Sequence, residues 1–181
     1  MDTLAPLVLG TVGTDHHPFD RLVDWLDDWL DRAQRPVRCF VQVGTSRPPT
    51  RAEHAQYLPY LTLEARMAQA DVVVCHAGPG TIMLAIAAGR RPIVVPRRRD
   101  LGEHVDDHQV VFARHIAREG TIMLVETQHE FDERVAEALE RPTAAASAGG
   151  HTALSDTVAR FEALIGPLLH RSRAGGTNGV R

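Results

Sequence analysis

Short apolar runs alternate with longer amphipathic stretches along most of this chain. Five runs rich in aliphatic and β-branched residues have the length and composition of buried strands: residues 6–13, 37–44, 71–78, 91–96 and 121–125. Apolar residues at helical spacing predict helices over residues 18–33, 61–69, 79–88, 108–118 and 129–139. Segments 45–54 and 97–107 are polar, and we expect them to be loops. Alternating strands and helices predict an α/β fold, a parallel sheet with helices on both faces.

The C-terminal part of the chain has a different pattern. Residues 1–140 hold all the predicted strands and form the α/β domain, while residues 141–151 are rich in Ala, Gly and Ser and predict a flexible linker. Apolar residues at helical spacing predict an amphipathic helix over residues 152–171. Residues 172–181 are rich in Gly and Arg and are expected to be a disordered tail.

Composition narrows the function classes. The chain has 181 residues, enough for one domain, and its net charge of −3 gives no reason to expect nucleic-acid binding. All 20 basic residues are arginine, so no lysine is present to hold a phosphate or to form a Schiff base. Cys39 and Cys75 lie in strand-like runs, which indicates buried thiols in a cytoplasmic protein. We expect no signal peptide, and no apolar stretch approaches the ~20 residues that span a bilayer.

Polar residues collect at the carboxyl ends of the predicted strands. The segments at these ends are rich in Gly, Thr, His or Arg, and they cover residues 10–17, 44–47, 75–81 and 96–109. In an open parallel sheet, ligands bind at the carboxyl ends of the strands. We therefore expect the functional site at this edge.

The glycine-rich turn CHAGPGT at residues 75–81 allows two interpretations. Gly78, Pro79 and Gly80 leave the start of a helix without large side chains, and Thr81 adds a hydroxyl. Free N–H groups and the helix dipole at such a terminus favour a phosphate. Alternatively, the glycines only permit close packing at a strand-to-helix corner. The polar ends of the neighbouring strands favour the anion site.

Arginines follow the strand end at residue 96. Arg97, Arg98 and Arg99 either pair with a diphosphate or an acidic sugar, or belong to a solvated loop. The spacing Gly-x-Gly-x-x-Gly is absent from the turns after the strands at 6–13 and 71–78, which disfavours NAD.

Histidines are frequent near the same edge. His104 and His108 have the spacing of metal ligands if they lie on a helix, but the sequence shows no third ligand that would complete a zinc site. We therefore predict no metal and interpret this segment as hydrogen-bonding groups for a polyhydroxylated ligand. His16 and His17 are either candidates for a general base or an exposed pair at the start of a helix.

The motifs TVGT followed by PFDRL, ADVVVCHAGPGTI and VVPRRRDLGEHVDDHQ resemble the C-terminal, donor-binding domain of family 28 glycosyltransferases. The resemblance covers most of residues 7–120. The chain resembles above all the single-domain small subunits of bacterial polysaccharide transferases, which act as one half of a split enzyme. It implies a Rossmann-like parallel sheet that resembles the C-terminal half of a GT-B fold. Many members place a ribose-binding glutamate in the helix after the glycine loop, where this chain has Leu84.

The resemblance also implies site residues and partners. The donor diphosphate would lie against Gly13, Thr14, Gly78, Gly80 and Thr81. The donor sugar or nucleotide would contact His76, Arg98, Glu103, His108 and Gln109. The resemblance implies a UDP-sugar as donor substrate, a lipid-linked sugar as acceptor, and inverting transfer with neither a metal nor another cofactor.

We accordingly expect the donor-binding, catalytic subunit of a two-component glycosyltransferase in exopolysaccharide or glycolipid synthesis. A membrane-anchored partner would supply the acceptor-binding half and hold this chain at the inner face of the membrane. The alternative is a non-catalytic nucleotide-sugar-binding or scaffolding subunit that activates a partner transferase.

Overall fold

A computed structural model describes residues 5–141 of the chain. They form a six-stranded, entirely parallel sheet flanked by five α-helices. The strands are β1 (Leu7–Thr11), β2 (Arg38–Gln42), β3 (Glu53–Ala55), β4 (Val72–His76), β5 (Ile93–Val95) and β6 (Met123–Leu124). The helices are α1 (Asp20–Asp31), α2 (Tyr60–Gln69), α3 (Pro79–Ala87), α4 (His108–Ala117) and α5 (Gln128–Glu140), with a 3₁₀ turn at Arg99–Leu101. The predicted linker, C-terminal helix and tail lie outside the described residues.

The strands lie in the order β3-β2-β1-β4-β5-β6. The order reverses between β1 and β4, whose neighbouring residues pair in register from Val8 with Val72 to Thr11 with Cys75. Such a reversal separates the loops that follow the two strands and opens a crevice at their carboxyl ends. The loops after β1 and β4 therefore flank the position where a ligand of this fold class binds.

The helices cover both faces of the sheet, as the sequence predicts. On one face, α1 and α5 bury Leu26 and Phe131 against Val8 and Val74. On the other face, α2 and α3 pack around Leu9, and α4 buries Phe112 beside β5. Gly10 permits close packing of α1, because a Cβ there would lie 2.8 Å from Leu26 Cδ1.

The sequence did not predict strand β3. Residues 45–54 were expected to be a polar loop, but Glu53 and His54 belong to β3, which pairs with β2 at the edge of the sheet. This strand has three residues, and Glu53 and His54 are exposed. An edge strand so short lacks the apolar alternation by which buried strands are recognised.

Both cysteines are buried and free, as predicted. Burial raises the pKa of the Cys75 thiol to about 12, and the pKa of Cys39 rises to about 12 for the same reason, with the charge of Asp27 adding to it. Both thiols are therefore protonated and unreactive at neutral pH. Within residues 5–141, no helix combines the length and the apolar character needed to cross a membrane.

Candidate functional site

The loops after β1 and β4 meet at one imidazole. The ring of His76, the last residue of β4, lies between Gly13 and Gly78, and a Cβ at either glycine would overlap it. Gly13 also has a φ of 85°, a backbone conformation that side chains disfavour. The two glycines therefore let His76 fill the space at the switch point between β1 and β4.

His76 is neutral at physiological pH. Burial, with the nearby charge of Arg97, lowers its pKa to about 4, although a hydrogen bond with the Thr11 backbone and the charge of Asp15 oppose the shift. Its Nδ1 atom is buried and has no hydrogen-bond partner among the described residues. The ring therefore supports the two loops without adding a charge to the crevice.

The start of α3 differs from the corner at Gly78. Gly80 is exposed, and a Cβ there would meet no atom within 4 Å. Helix α3 begins with Pro79 after the N-cap Gly78, so no side chain caps its first turn. In this first turn, the backbone N–H of Ile82 donates to the Gly78 carbonyl at 3.0 Å.

These observations assign different roles to the two glycines of the GPG turn. Gly78 is needed for packing against His76, whereas packing does not require a glycine at position 80. The N–H groups of Gly80 and Thr81 lie in an open helix N-terminus, where the positive end of the helix dipole favours an anion. The packing interpretation of the turn thus applies to Gly78, and the anion-site interpretation concerns Gly80 and Thr81.

Arg97 joins the loop after β5 to the loop after β1. Its side chain is fully buried, and its Nη2 donates to the Val12 carbonyl at 2.7 Å. Its Nη1 donates to the carbonyls of His17 at 2.7 Å and Glu103 at 3.0 Å, and its guanidinium lies 4.8 Å from the centre of the Phe19 ring. The solvated loop predicted for Arg97 is wrong, because its side chain is buried, and its Nη1 and Nη2 atoms donate to backbone carbonyls.

An ion pair between Arg21 and the buried Glu103 holds the loop after β5 against α1. Glu103 is 5% exposed, and its two carboxylate oxygens each accept a 2.8 Å hydrogen bond from Arg21. Arg21 also donates to the Pro96 carbonyl, and Glu103 accepts from the backbone N–H of Arg98. The carboxylate of Glu103 is thus engaged in fixing the loop.

The start of α4 contributes exposed polar groups. His108 is 71% exposed, and its Nδ1 lies 2.7 Å from Asp106 Oδ2. Gln109 is half-buried, and its Oε1 accepts from the Arg97 backbone N–H at 3.2 Å, while its Nε2 has no hydrogen-bond partner within residues 5–141. Arg98 is exposed and forms a two-point ion pair with Asp100.

Asp15 lies among three histidines at the same edge. Its Oδ1 is 2.7 Å from His17 Nδ1 and 3.7 Å from His16 Nδ1, and its Oδ2 is 3.9 Å from His104 Nε2. Burial acts to raise the pKa of Asp15, but two hydrogen bonds from His17 and the charge of Arg97 outweigh it and leave this pKa below its usual value. The carboxyl is therefore ionised at neutral pH.

The structure brings some of the predicted donor-binding residues into contact, whereas others do not contact them. It places Gly13, His76 and Gly78 in one cluster, and it connects Gln109 to the loop after β5 through the Arg97 backbone. Thr14 is exposed and Arg98 is held by Asp100.

The residues that anchor the loops beneath the site were not predicted from the sequence. The most important are Arg97, Arg21 and Asp15, and two more are the buried Gln42, which donates to Thr11 Oγ1, and Ser46, which accepts from the Phe19 N–H. Only its position distinguishes Arg97 from its neighbours in the sequence, because Arg97 is closest to the buried strand β5, and Arg98 and Arg99 lie further along the loop.

The fold and the crevice define a Rossmann-like domain with an open, uncapped helix N-terminus at its switch point. The model of the glycosyltransferase family 28 C-terminal domain matches residues 8–160, and the chain belongs to this family. The family assignment made from the sequence motifs is therefore confirmed.

Curated relatives carry the name UDP-N-acetylglucosamine--N-acetylmuramyl-(pentapeptide) pyrophosphoryl-undecaprenol N-acetylglucosamine transferase. The one from Azotobacter vinelandii is 34% identical over 131 residues, which are 67% of this chain and 35% of that protein. The one from Ralstonia nicotianae is 40% identical over 73 residues, 40% of this chain and 19% of that protein. The chain thus spans about a third or less of the length of these relatives.

Solved structures agree on the fold. MurG from Acinetobacter baumannii superposes with a TM-score of 0.55 at 21% identity, covering 90% of this chain and 51% of that one. The glycosyltransferase of kitacinnamycin gives a TM-score of 0.61 at 19% identity, covering 88% of this chain and 40% of that one. The predicted Rossmann-like α/β class, similar to the C-terminal half of a GT-B fold, is confirmed.

Proposed function

We propose that this chain binds a UDP-sugar in the crevice between the loops after β1 and β4. The observation that carries the proposal is the open N-terminus of α3 beside the His76 cluster. The diphosphate would lie against the backbone of Gly13, Thr14, Gly78, Gly80 and Thr81, where N–H groups and the α3 dipole offset its charge.

The sugar side of the donor would lie toward α4. His108 offers an exposed imidazole, and Gln109 offers an amide nitrogen, so both are proposed to donate to sugar hydroxyls. Arg98 is exposed and would have to exchange Asp100 for the donor. His76 and Glu103 are proposed to support the loops that contact the donor, without contacting the donor themselves.

The proposed reaction is inverting transfer without a metal requirement. An acceptor hydroxyl attacks the anomeric carbon, the bond from that carbon to the diphosphate oxygen breaks, and UDP leaves with the electron pair. The α3 terminus would stabilise the charge that develops on the diphosphate. Within this chain the candidate bases are His16 and His17, and Asp15 orients His17 through Nδ1.

We further propose that a membrane-anchored subunit supplies the acceptor-binding half and positions this chain at the cytoplasmic face. The support is the resemblance of the VVPRRRDLGEHVDDHQ motif to small subunits of bacterial polysaccharide transferases, together with relatives whose names include an undecaprenol-linked acceptor. A lipid-linked sugar acceptor, in exopolysaccharide or glycolipid synthesis, fits this arrangement. The segment 152–171 is proposed as the docking element, so replacing Leu164 and Leu168 with Asp should abolish co-purification with the acceptor subunit.

Donor binding is tested first by thermal shift. UDP and UDP-sugars should raise the melting temperature more than GDP-, ADP- or dTDP-sugars, because a ligand at 100 times its Kd stabilises the folded state by about 2.7 kcal/mol. The absence of a shift with every nucleotide sugar would refute the donor site.

Transfer is tested with radiolabelled UDP-sugar and lipid-linked acceptor. The two-component enzyme predicts transfer only when this chain and the acceptor subunit are mixed, and transfer should fail when Gly80→Val replaces the wild-type chain. If the acceptor subunit transfers sugar by itself and this chain only increases the rate, the scaffolding function applies instead.

A further inference from the structure

Two exposed arginines follow the buried Arg97 on the loop after β5. Arg98 is 45% exposed, and the exposed guanidinium of Arg99 has no hydrogen-bond or ion-pair partner within residues 5–141. We propose that these two arginines bind the carboxylate of an acidic donor sugar, so that the donor is a UDP-hexuronic acid and not a neutral UDP-hexose. The inference rests on the proposed UDP-sugar site and names the class of sugar that this site takes.

Arg98 already holds a carboxylate in the structure. Its Nε donates to Asp100 Oδ1 at 3.0 Å, and its Nη2 donates to Asp100 Oδ2 at 2.6 Å. In this two-point geometry the planar guanidinium matches the two oxygens of a carboxylate, which a hydroxyl group cannot do. Asp100 therefore occupies the position that the C6 carboxylate of a hexuronic acid would take.

The carboxylate of Asp100 is easily exchanged. It is 58% exposed and comes from the same short loop as Arg98. Exposed ion pairs contribute little to stability, because water solvates both charges when the pair separates. The pair thus keeps the guanidinium oriented in the free protein and gives way to a ligand, while the positive charge of Arg99 offsets the released Asp100.

The backbone of Arg98 is fixed next to the proposed sugar-binding side chains. Its N–H donates to the carboxylate of the buried Glu103 at 2.9 Å. The preceding N–H, that of Arg97, donates to Oε1 of Gln109 at 3.2 Å, and Gln109 is the proposed partner of a sugar hydroxyl. Only the side chain of Arg98 therefore has to move when a carboxylate of the sugar replaces Asp100.

The other acidic side chains of this segment are held by groups of the protein. Glu103 pairs with Arg21 at 2.8 Å, and Asp106 lies within 3.1 Å of the Nδ1 atoms of two histidines. Asp107 Oδ1 accepts from the backbone N–H of Arg99 at 3.1 Å. The guanidinium of Arg99 is left for a ligand, because none of these carboxylates binds it.

The test is calorimetry of the full-length chain with UDP, UDP-glucuronic acid, UDP-glucose and UDP-N-acetylglucosamine. UDP-glucuronic acid and UDP-glucose differ only at C6, so their comparison isolates the carboxylate. We expect UDP-glucuronic acid to bind at least about tenfold more tightly than either neutral donor, as two-point carboxylate recognition by arginine favours. Raising the salt concentration should reduce this preference, since the arginines are exposed.

Arg98→Gln and Arg99→Gln should each reduce the preference to less than about threefold while the affinity for UDP-glucose stays within about twofold of the wild type. The matched control is Arg118→Gln, at an exposed position after α4, which makes the same change in net charge and should keep the full preference. Thermal melting of each variant checks folding. Arg98→Lys, which keeps the charge but loses the two-point geometry, replaces any variant that fails this check.

The outcomes separate this inference from the proposed function. If neither UDP nor any UDP-sugar binds, the donor site itself is refuted. If the UDP-sugars bind but a neutral donor binds as tightly as UDP-glucuronic acid, the donor site stands and the acidic sugar is refuted. A preference that persists in both Arg98→Gln and Arg99→Gln, or that is equally lost in Arg118→Gln, would also overturn the assignment to these two arginines.

Discussion

Arg97 Nη2 lies 2.7 Å from the carbonyl oxygen of Val12, across the carboxyl edge of the sheet. The contact links the loop after β5 to the end of β1, although the two residues are 85 positions apart in the sequence. The charge of this buried guanidinium is therefore used to satisfy backbone oxygens around the crevice.

Removing the Arg97 side chain should unfold the edge of the site. In Arg97→Leu the carbonyls of Val12, His17 and Glu103 lose their donor, and buried acceptors without partners cost about 1–3 kcal/mol each. We expect the free energy of unfolding in urea to fall by about 3 kcal/mol or more. Arg99→Leu, at an exposed position, is the control and should change it by less than about 0.5 kcal/mol. A stable Arg97→Leu protein with weak UDP binding would instead indicate a diphosphate ligand.

Gly80 and Gly78 should respond differently to a side chain. Gly80→Val has room for its side chain but covers the N–H groups at the start of α3, so the melting temperature should stay near that of the wild type while UDP affinity falls at least about tenfold. Gly78→Ala forces a Cβ against His76 and should lower the melting temperature. Calorimetry with UDP and thermal melts of both variants separate the effects. Full UDP affinity in Gly80→Val would limit the turn to a packing role.

His76 should make the stability depend on pH. Its pKa is about 4 in the folded state against a usual value of 6.5, so the unfolded chain binds the proton more readily between these values. Stability therefore falls as the pH is lowered through 6.5 toward 4, and the loss at pH 5 is about 2 kcal/mol relative to pH 7. Urea unfolding at the two pH values, in the wild type and in His76→Gln, measures the contribution. An equal pH dependence in both proteins would contradict it.

The sheet and the helices that cover it could be predicted from the sequence, because they depend on patterns of apolar residues. The runs at β1, β4 and β5 and the helical spacing of α1 predict the sheet and its covering helices, and the carboxyl ends of the strands predict the edge that carries the site. The strand β3 was missed because Glu53 and His54 are exposed and show no alternation.

The anchors beneath the site could not be predicted in the same way. The roles of Arg97 and Glu103 depend on partners from α1 and the loop after β1, which lie about 80 positions away. Neighbouring residues of the same type, such as Arg98, are exposed. The roles of His104 and Asp15 likewise depend on a contact between two loops.

Leu84 should not accept the glutamate that many family members carry in this helix. It is 5% exposed and packs with Leu9 and Met67 in the core between α3 and the sheet. Leu84→Glu would bury a carboxyl among apolar side chains, so the free energy of unfolding should fall by several kcal/mol. Ala87→Glu, exposed on the same helix, is the control and should be nearly neutral. A stable Leu84→Glu protein with increased UDP affinity would show that this position reaches the ribose.

Gln109 offers a way to separate sugar binding from loop support. Its Oε1 accepts from the Arg97 backbone N–H at 3.2 Å, and its Nε2 is the proposed donor to the sugar. Gln109→Glu keeps an oxygen for Arg97 but removes the amide donor, while Gln109→Ala removes both.

If the amide contacts the sugar, Gln109→Glu should reduce the affinity for the UDP-sugar more than that for UDP, by about 0.5–1.5 kcal/mol. The added negative charge repels the diphosphate of both ligands, so it cancels when the two losses are compared by calorimetry. Gln109→Ala should show the same difference together with a lower melting temperature, because the Arg97 N–H loses its acceptor. Equal losses for UDP and the UDP-sugar in Gln109→Glu would place this side chain at the nucleotide instead.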